Sequence, residues 1–139
     1  YARQAGTEVL SGKRIRLVPF IERMELAYAA ADIIISRAGA GTISELCVVG
    51  KPAILVPSPN VAEDHQTKNA MMLASSGAAL VIPDGEALEK LIPSALALLG
   101  DPDRCRMMAE KIKELAVTDA DERIAREVFA LTDKLEHLS

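Results

Sequence analysis

The sequence predicts an α/β fold, an open parallel sheet with helices on both faces and a helical carboxyl-terminal tail. Three observations carry this. Short apolar runs at 32–36, 52–57 and 79–82 are rich in Ile, Val, Leu and Ala. Helical stretches separate them, two of which close on a glycine, Gly50 and Gly77. After Gly85 the strand pattern stops and only helical periodicity remains. Continuous apolar strands alternating with helices indicate βαβ units, whose sheet is covered on both faces.

In order, 15–20 reads as a short strand and 24–31 as a helix. The run 32–36 (Asp-Ile-Ile-Ile-Ser) is a strand, and 42–49 is a helix ended by Gly50. A third strand falls at 52–57 (Pro-Ala-Ile-Leu-Val-Pro), then a helix at 64–76 ended by Gly77. The fourth strand, 79–82, is stopped by Pro83-Asp84-Gly85. Helices follow at 86–99, 102–116 and 121–138. Pro93 is placed to kink or restart the first of these, and Asp101-Pro102 supplies a cap and a first-turn proline for the second. Asp119 with Glu122 makes a box-like start for the last, where Ile124, Val128, Leu131 and Leu135 recur on one face.

Composition sets the function classes. A chain of 139 residues, half of them hydrophobic, fits a single domain with a real core. A net charge of -4 gives no general attraction to nucleic acid or to an anionic bilayer, so small molecules or protein are the expected partners. Cys47 and Cys105 lack metal-ligand spacing and suggest a reducing, cytosolic setting. No metal is expected, because His65 and His137 are the only histidines and neither has a Cys or His at ligand spacing. No cofactor motif stands out. Neither a signal peptide nor a run long enough to span a membrane is visible.

The chemically richest stretch is 36–45, Ser-Arg-Ala-Gly-Ala-Gly-Thr-Ile-Ser-Glu. A strand passes here into a helix through Gly39, Ala40 and Gly41, which let a ligand approach the backbone. The helix start then offers unpaired N–H groups to a phosphate. The bland alternative is a Thr42–Glu45 capping box, each side chain satisfying a backbone donor of the other. A dinucleotide fingerprint fits poorly: Ser44 stands where the third glycine belongs, and Ser58-Pro59-Asn60 replaces the acidic residue that would hold a ribose.

A second polar cluster occupies 60–69, Asn-Val-Ala-Glu-Asp-His-Gln-Thr-Lys-Asn. It lies at the same carboxyl edge of the sheet, where open α/β folds bind ligands. His65 and Asn69 share a helix face, with Gln66 beside them, a set of hydrogen-bonding groups suited to sugar hydroxyls. An ordinary first turn capped by Asp64 is the competing reading. Glu63, Asp64 and His65 are each conceivable general bases, and the sequence does not choose among them.

In this order the segments Val18-Pro19-Phe20-Ile21, 31–40, Thr42-Ile43-Ser44-Glu45, 50–57 and 64–70 are specific. The chain resembles the carboxyl-terminal, donor-binding half of the MurG family, inverting glycosyltransferases of two-domain GT-B architecture. The resemblance implies transfer of N-acetylglucosamine from UDP-N-acetylglucosamine to an undecaprenyl-linked muramyl-pentapeptide in peptidoglycan synthesis. It implies that main-chain groups of Ile21 read uracil and that Glu45 accepts both ribose hydroxyls. The backbone at Ala40, Gly41 and Thr42 would face the diphosphate and sugar, with Arg37 and Gly39 in the same loop. Gln66 and Asn69 would hold N-acetylglucosamine, with His65 the alternative one residue away. Gly41 departs from the family, where a larger apolar residue is common. The resemblance further implies an acceptor domain and catalytic base outside this chain, an amino-terminally truncated donor domain inactive by itself, and a cytoplasmic parent bound peripherally to the inner face of the cell membrane. Two other classes share the pattern: a non-catalytic sugar-nucleotide-binding subunit of a two-component transferase, and an isomerase like UDP-N-acetylglucosamine 2-epimerase.

Overall fold

The computed structural model describes residues 14–60 and 65–116. The chain divides into two compact units, Tyr1–Ala30 and Ala31–Ser139. In the first, helix α1 spans Met24–Ala30. It starts on the carbonyl of Arg23, which receives the amides of Leu26 at 3.2 Å and Ala27 at 3.3 Å. The strand expected at 15–20 is not formed. Ile15, Leu17 and Phe20 are exposed, and Pro19 has no N–H to donate. An apolar run becomes a strand only where a ladder partner receives it, and none pairs with this run among the described residues.

The second unit holds the sheet. Strands β1 (Ile34–Ser36), β2 (Ala53–Leu55) and β3 (Ala79–Val81) lie side by side in chain order. All are parallel, with Ile35 opposite Ile54 and Ile54 opposite Leu80. The observed strands sit inside the expected ranges, and the ladder extends past them through bonds such as Val56 N–H to Ser36 C=O at 2.9 Å. Helix α2 (Ala40–Val49) connects β1 to β2, and α3 (His65–Ser75) lies between β2 and β3. With strands in chain order and the right-handed crossovers that parallel units adopt, both helices fall on one face, where they pack against each other. Leu46, Leu55 and Leu73 are fully buried. Each helix ends as its glycine predicts, with Gly50 at φ +70° and Gly77 at φ +73°. A residue with a Cβ adopts that left-handed backbone only with strain.

After β3 a single 3-10 turn, Asp84–Glu86, leads into α4, Ala87–Leu99. Pro93 lies inside α4 and does not divide it. A further helix, α5, runs over 102–116. Asp101 caps it as expected: its carboxylate accepts the amide of Arg104 at 3.2 Å and its carbonyl that of Cys105 at 3.1 Å. Alternation along β2 turns Ile54 and Val56 to this side, where they pack with Ile82, Ala95, Leu98 and Met108. The sheet is thus covered on both faces. Asp64, Glu63 and the helix expected at 121–138 lie outside the described residues.

Candidate functional site

Parallel strands deliver their carboxyl ends to one edge, and three loops meet there. β1 runs into Arg37-Ala38-Gly39, β2 into 56–60, and β3 into Pro83 and the 3-10 turn. Two side chains stitch the first two loops together. Gln66, in the first turn of α3, accepts through Oε1 the amides of Ala38 at 3.3 Å and Ser58 at 2.9 Å. Arg37 donates through Nη1 to the carbonyls of Val56 at 3.3 Å and Pro57 at 3.4 Å, and to Asp84 Oδ1 at 2.6 Å. Backbone polar groups left by the strands' ends are thereby satisfied, as partly buried groups must be.

The start of α2 corrects one expectation. Its N-cap is Gly39, extended at φ -64° and ψ 149°, with no side-chain cap hydrogen bond. The first intrahelical bond runs from Ile43 N–H to Gly39 C=O at 2.9 Å. Thr42 is therefore inside the helix, and the Thr42–Glu45 capping box does not form. Both Gly39 and Thr42 are acceptable helix starts in sequence, and the extended backbone at Gly39 places the N-cap there, three residues after β1 ends, so the earlier start wins. Ala40 and Gly41 belong to the first helical turn, and the bare turn is Arg37-Ala38-Gly39. The amides of Ala40, Gly41 and Thr42 precede the first intrahelical bond and share the positive end of the helix dipole. A Cβ added to Gly41 would meet nothing within 4 Å, so this helix start opens onto clear space. Glu45 is exposed one turn later on the same face as Gly41, and helical side chains lean back toward the helix start.

His65 is exposed at the first position of α3, and Asn69 lies half-buried one turn on. Gln66, between them in sequence, turns instead to the two loops. Ile21 belongs to the first unit, where it is exposed. Asp84 is the residue at this edge that sequence reasoning missed: it read there as part of a turn, and its ion pair with Arg37 spans 47 residues. Beside that pair a cleft of about 260 Å³ is lined by Ile35, Ser36, Val56, Ala87 and Leu91. That is smaller than the roughly 300–1,000 Å³ of small-molecule pockets, and it opens on the α4 side of the sheet. Among the described residues no group of three His, Cys, Asp or Glu could hold a metal, and no helix is long and apolar enough to cross a membrane.

A parallel sheet with a glycine-capped helix start at its carboxyl edge is a Rossmann-like arrangement suited to phosphorylated ligands, and the donor-side domain of GT-B glycosyltransferases is one member of that class. Residues 2–124 match the glycosyltransferase family 28 C-terminal domain, and the chain belongs to that family. Its relatives include the UDP-N-acetylglucosamine--N-acetylmuramyl-(pentapeptide) pyrophosphoryl-undecaprenol N-acetylglucosamine transferase of Porphyromonas gingivalis strain W83. That protein is 54% identical over 114 residues, which cover 82% of this chain and 30% of the relative. The transferase of the same name from Phocaeicola vulgatus is 50% identical over 133 residues, covering 96% of this chain and 35% of the relative. Among solved structures, Acinetobacter baumannii MurG superimposes with a TM-score of 0.65 at 38% identity, over 72% of this chain and 29% of that one. The resemblance to the MurG family holds, and the chain spans about a third of the length of these relatives.

Proposed function

We propose that this chain forms the donor-binding part of a transferase that moves N-acetylglucosamine from UDP-N-acetylglucosamine to an undecaprenyl-linked muramyl-pentapeptide. The observation that carries the reading is the helix start at Gly39 to Thr42, open at Gly41, with Glu45 on the same face one turn later. A carboxylate there accepts two ribose hydroxyls at once, each through a charge-assisted bond. The diphosphate then falls at the amides of Ala40, Gly41 and Thr42, where the helix dipole favours negative charge. Arg37, in the same loop, is paired with Asp84, so it braces the loop and adds no net positive charge there. His65 and Asn69 present a polar face to the sugar. Gln66 Oε1 is already engaged by the amides of Ala38 and Ser58, so its part in the site is to hold the two loops together.

The chemical task of these residues is to orient the anomeric carbon and stabilise the departing UDP as negative charge develops on it. Holding the acceptor's hydroxyl, supplying the base that takes its proton and making a peripheral contact with the cytoplasmic membrane face fall to the parent enzyme. The named relatives are transferases, and neither a non-catalytic subunit nor an isomerase gains support from them.

Ligand-observed NMR of the chain with UDP-N-acetylglucosamine tests this, with UDP-glucose, GDP-mannose and NAD as competitors. Saturation transfer to uracil and N-acetyl protons is expected, with UDP-glucose competing through its shared nucleotide and GDP-mannose and NAD leaving the signal unchanged. Glu45→Ala should weaken binding about ten- to a hundredfold, the worth of one or two charge-assisted bonds. Unchanged affinity in the folded variant would refute the ribose role.

A further inference from the structure

We propose that Asp84 is a positioning residue for the donor site: it fixes Arg37 across the ends of β1 and β2, so that the two donor-facing loops are locked before the donor arrives. The inference rests on the donor-site reading above and adds a residue that touches no donor. Three acceptors surround one nitrogen of Arg37, and they are unequal. Asp84 Oδ1 lies at 2.6 Å, whereas the carbonyls of Val56 and Pro57 lie at 3.3 and 3.4 Å. The two carbonyl bonds are long and weak alone; the short, charge-assisted bond determines where the guanidinium rests.

Asp84 is itself anchored. It opens the 3-10 turn whose amide of Glu86 reaches the carbonyl of Pro83 at 3.0 Å, immediately after β3. Through Asp84 the third strand therefore pins a side chain of the first against the backbone of the second. Gln66 ties the same two loops through Ala38 and Ser58. Gly39, the N-cap of α2, follows Ala38 directly, so both ties act on the start of the anion-facing helix. Loops ordered in advance spare the donor the entropy of ordering them. The ion pair is half-exposed, so its effect on global stability is small and its consequence is local.

The test compares UDP affinity and amide spectra for wild type, Asp84→Ala, Asp84→Glu, Arg37→Ala and the double alanine variant. Asp84→Ala should bind UDP about tenfold more weakly, the usual worth of a charge-assisted contact, with a melting temperature near wild type. Asp84→Glu should recover much of that loss. The double variant should bind no more weakly than Arg37→Ala, because Asp84 acts only through Arg37. Before any ligand is added, the Ala38 and Ser58 amide signals should already shift in Asp84→Ala. UDP binding that is unchanged or tighter in folded Asp84→Ala overturns the proposal; so do losses that multiply in the double variant. Should wild type bind no UDP, the donor-site reading fails separately, and unchanged Ala38 and Ser58 signals in unliganded Asp84→Ala overturn this one.

Discussion

Gln66 shows how one side chain joins structure to a candidate binding role. Its Oε1 is the shared acceptor for two backbone amides on different loops, both partly buried. Truncation to Ala would leave those donors without this partner, at about 1–3 kcal/mol for a desolvated, unsatisfied group. Gln66→Glu keeps an acceptor in place and adds a negative charge near the proposed diphosphate. Urea unfolding should therefore show a clear loss for Gln66→Ala and a smaller one for Gln66→Glu, while UDP binding should fall in both. A Gln66→Glu variant that binds UDP as wild type does would place the diphosphate away from this helix start. Neither this brace nor the Arg37–Asp84 pair was legible in the sequence. Each depends on loops brought together in space, and nothing local marks a Gln or an Asp as the partner of a distant amide or guanidinium.

At the scale of elements, what was legible was local. β1, β2 and β3 fall inside their expected ranges because buried parallel strands are continuous apolar runs. Gly50 and Gly77 end α2 and α3 because a left-handed backbone excludes most other residues. The first-unit strand at 15–20 failed because a strand also needs a neighbour, which no local pattern supplies. The start of α2 was misplaced because Gly39 and Thr42 are both good caps. That difference gives a direct comparison of caps. Asp101→Ala should cost about 1 kcal/mol, since Asp101 accepts the amide of Arg104, whereas Thr42→Ala should stay within about 0.5 kcal/mol. Thermal unfolding of the two variants separates a true cap from an interior helical residue. A loss at Thr42 equal to that at Asp101 would contradict the helix start at Ala40. Gly50 and Gly77 make a second pair. Alanine is strained at both by positive φ, but only at Gly50 would its Cβ also run into the Lys113 side chain. Gly50→Ala should thus be the more destabilising, beyond the roughly 1–2 kcal/mol of the backbone term alone.

At the scale of the sheet unit, the proposed donor edge is only as rigid as the strands that deliver it. β2 is the central strand, with Ala53, Ile54 and Leu55 all fully buried, and its loop receives both stitches. β1 lies at the edge of the described sheet, and its central residue Ile35 is 43% exposed. Ile54 and Ile35 are opposite each other in register and face the same side, so they differ chiefly in burial. Ile54→Ala removes methylenes from a packed site against Ala95 and Leu98, a change worth about 2–5 kcal/mol. A domain stable by about 5–15 kcal/mol loses a large part of its margin that way. Ile35→Ala deletes the same atoms where solvent already reaches, and should cost about 1 kcal/mol or less. Urea midpoints for the two variants, at unchanged slope, measure the difference. Equal losses would mean that β1 is as enclosed as β2. A large loss confined to Ile54, with UDP binding preserved in folded Ile35→Ala, would locate the support of the donor edge in the central strand.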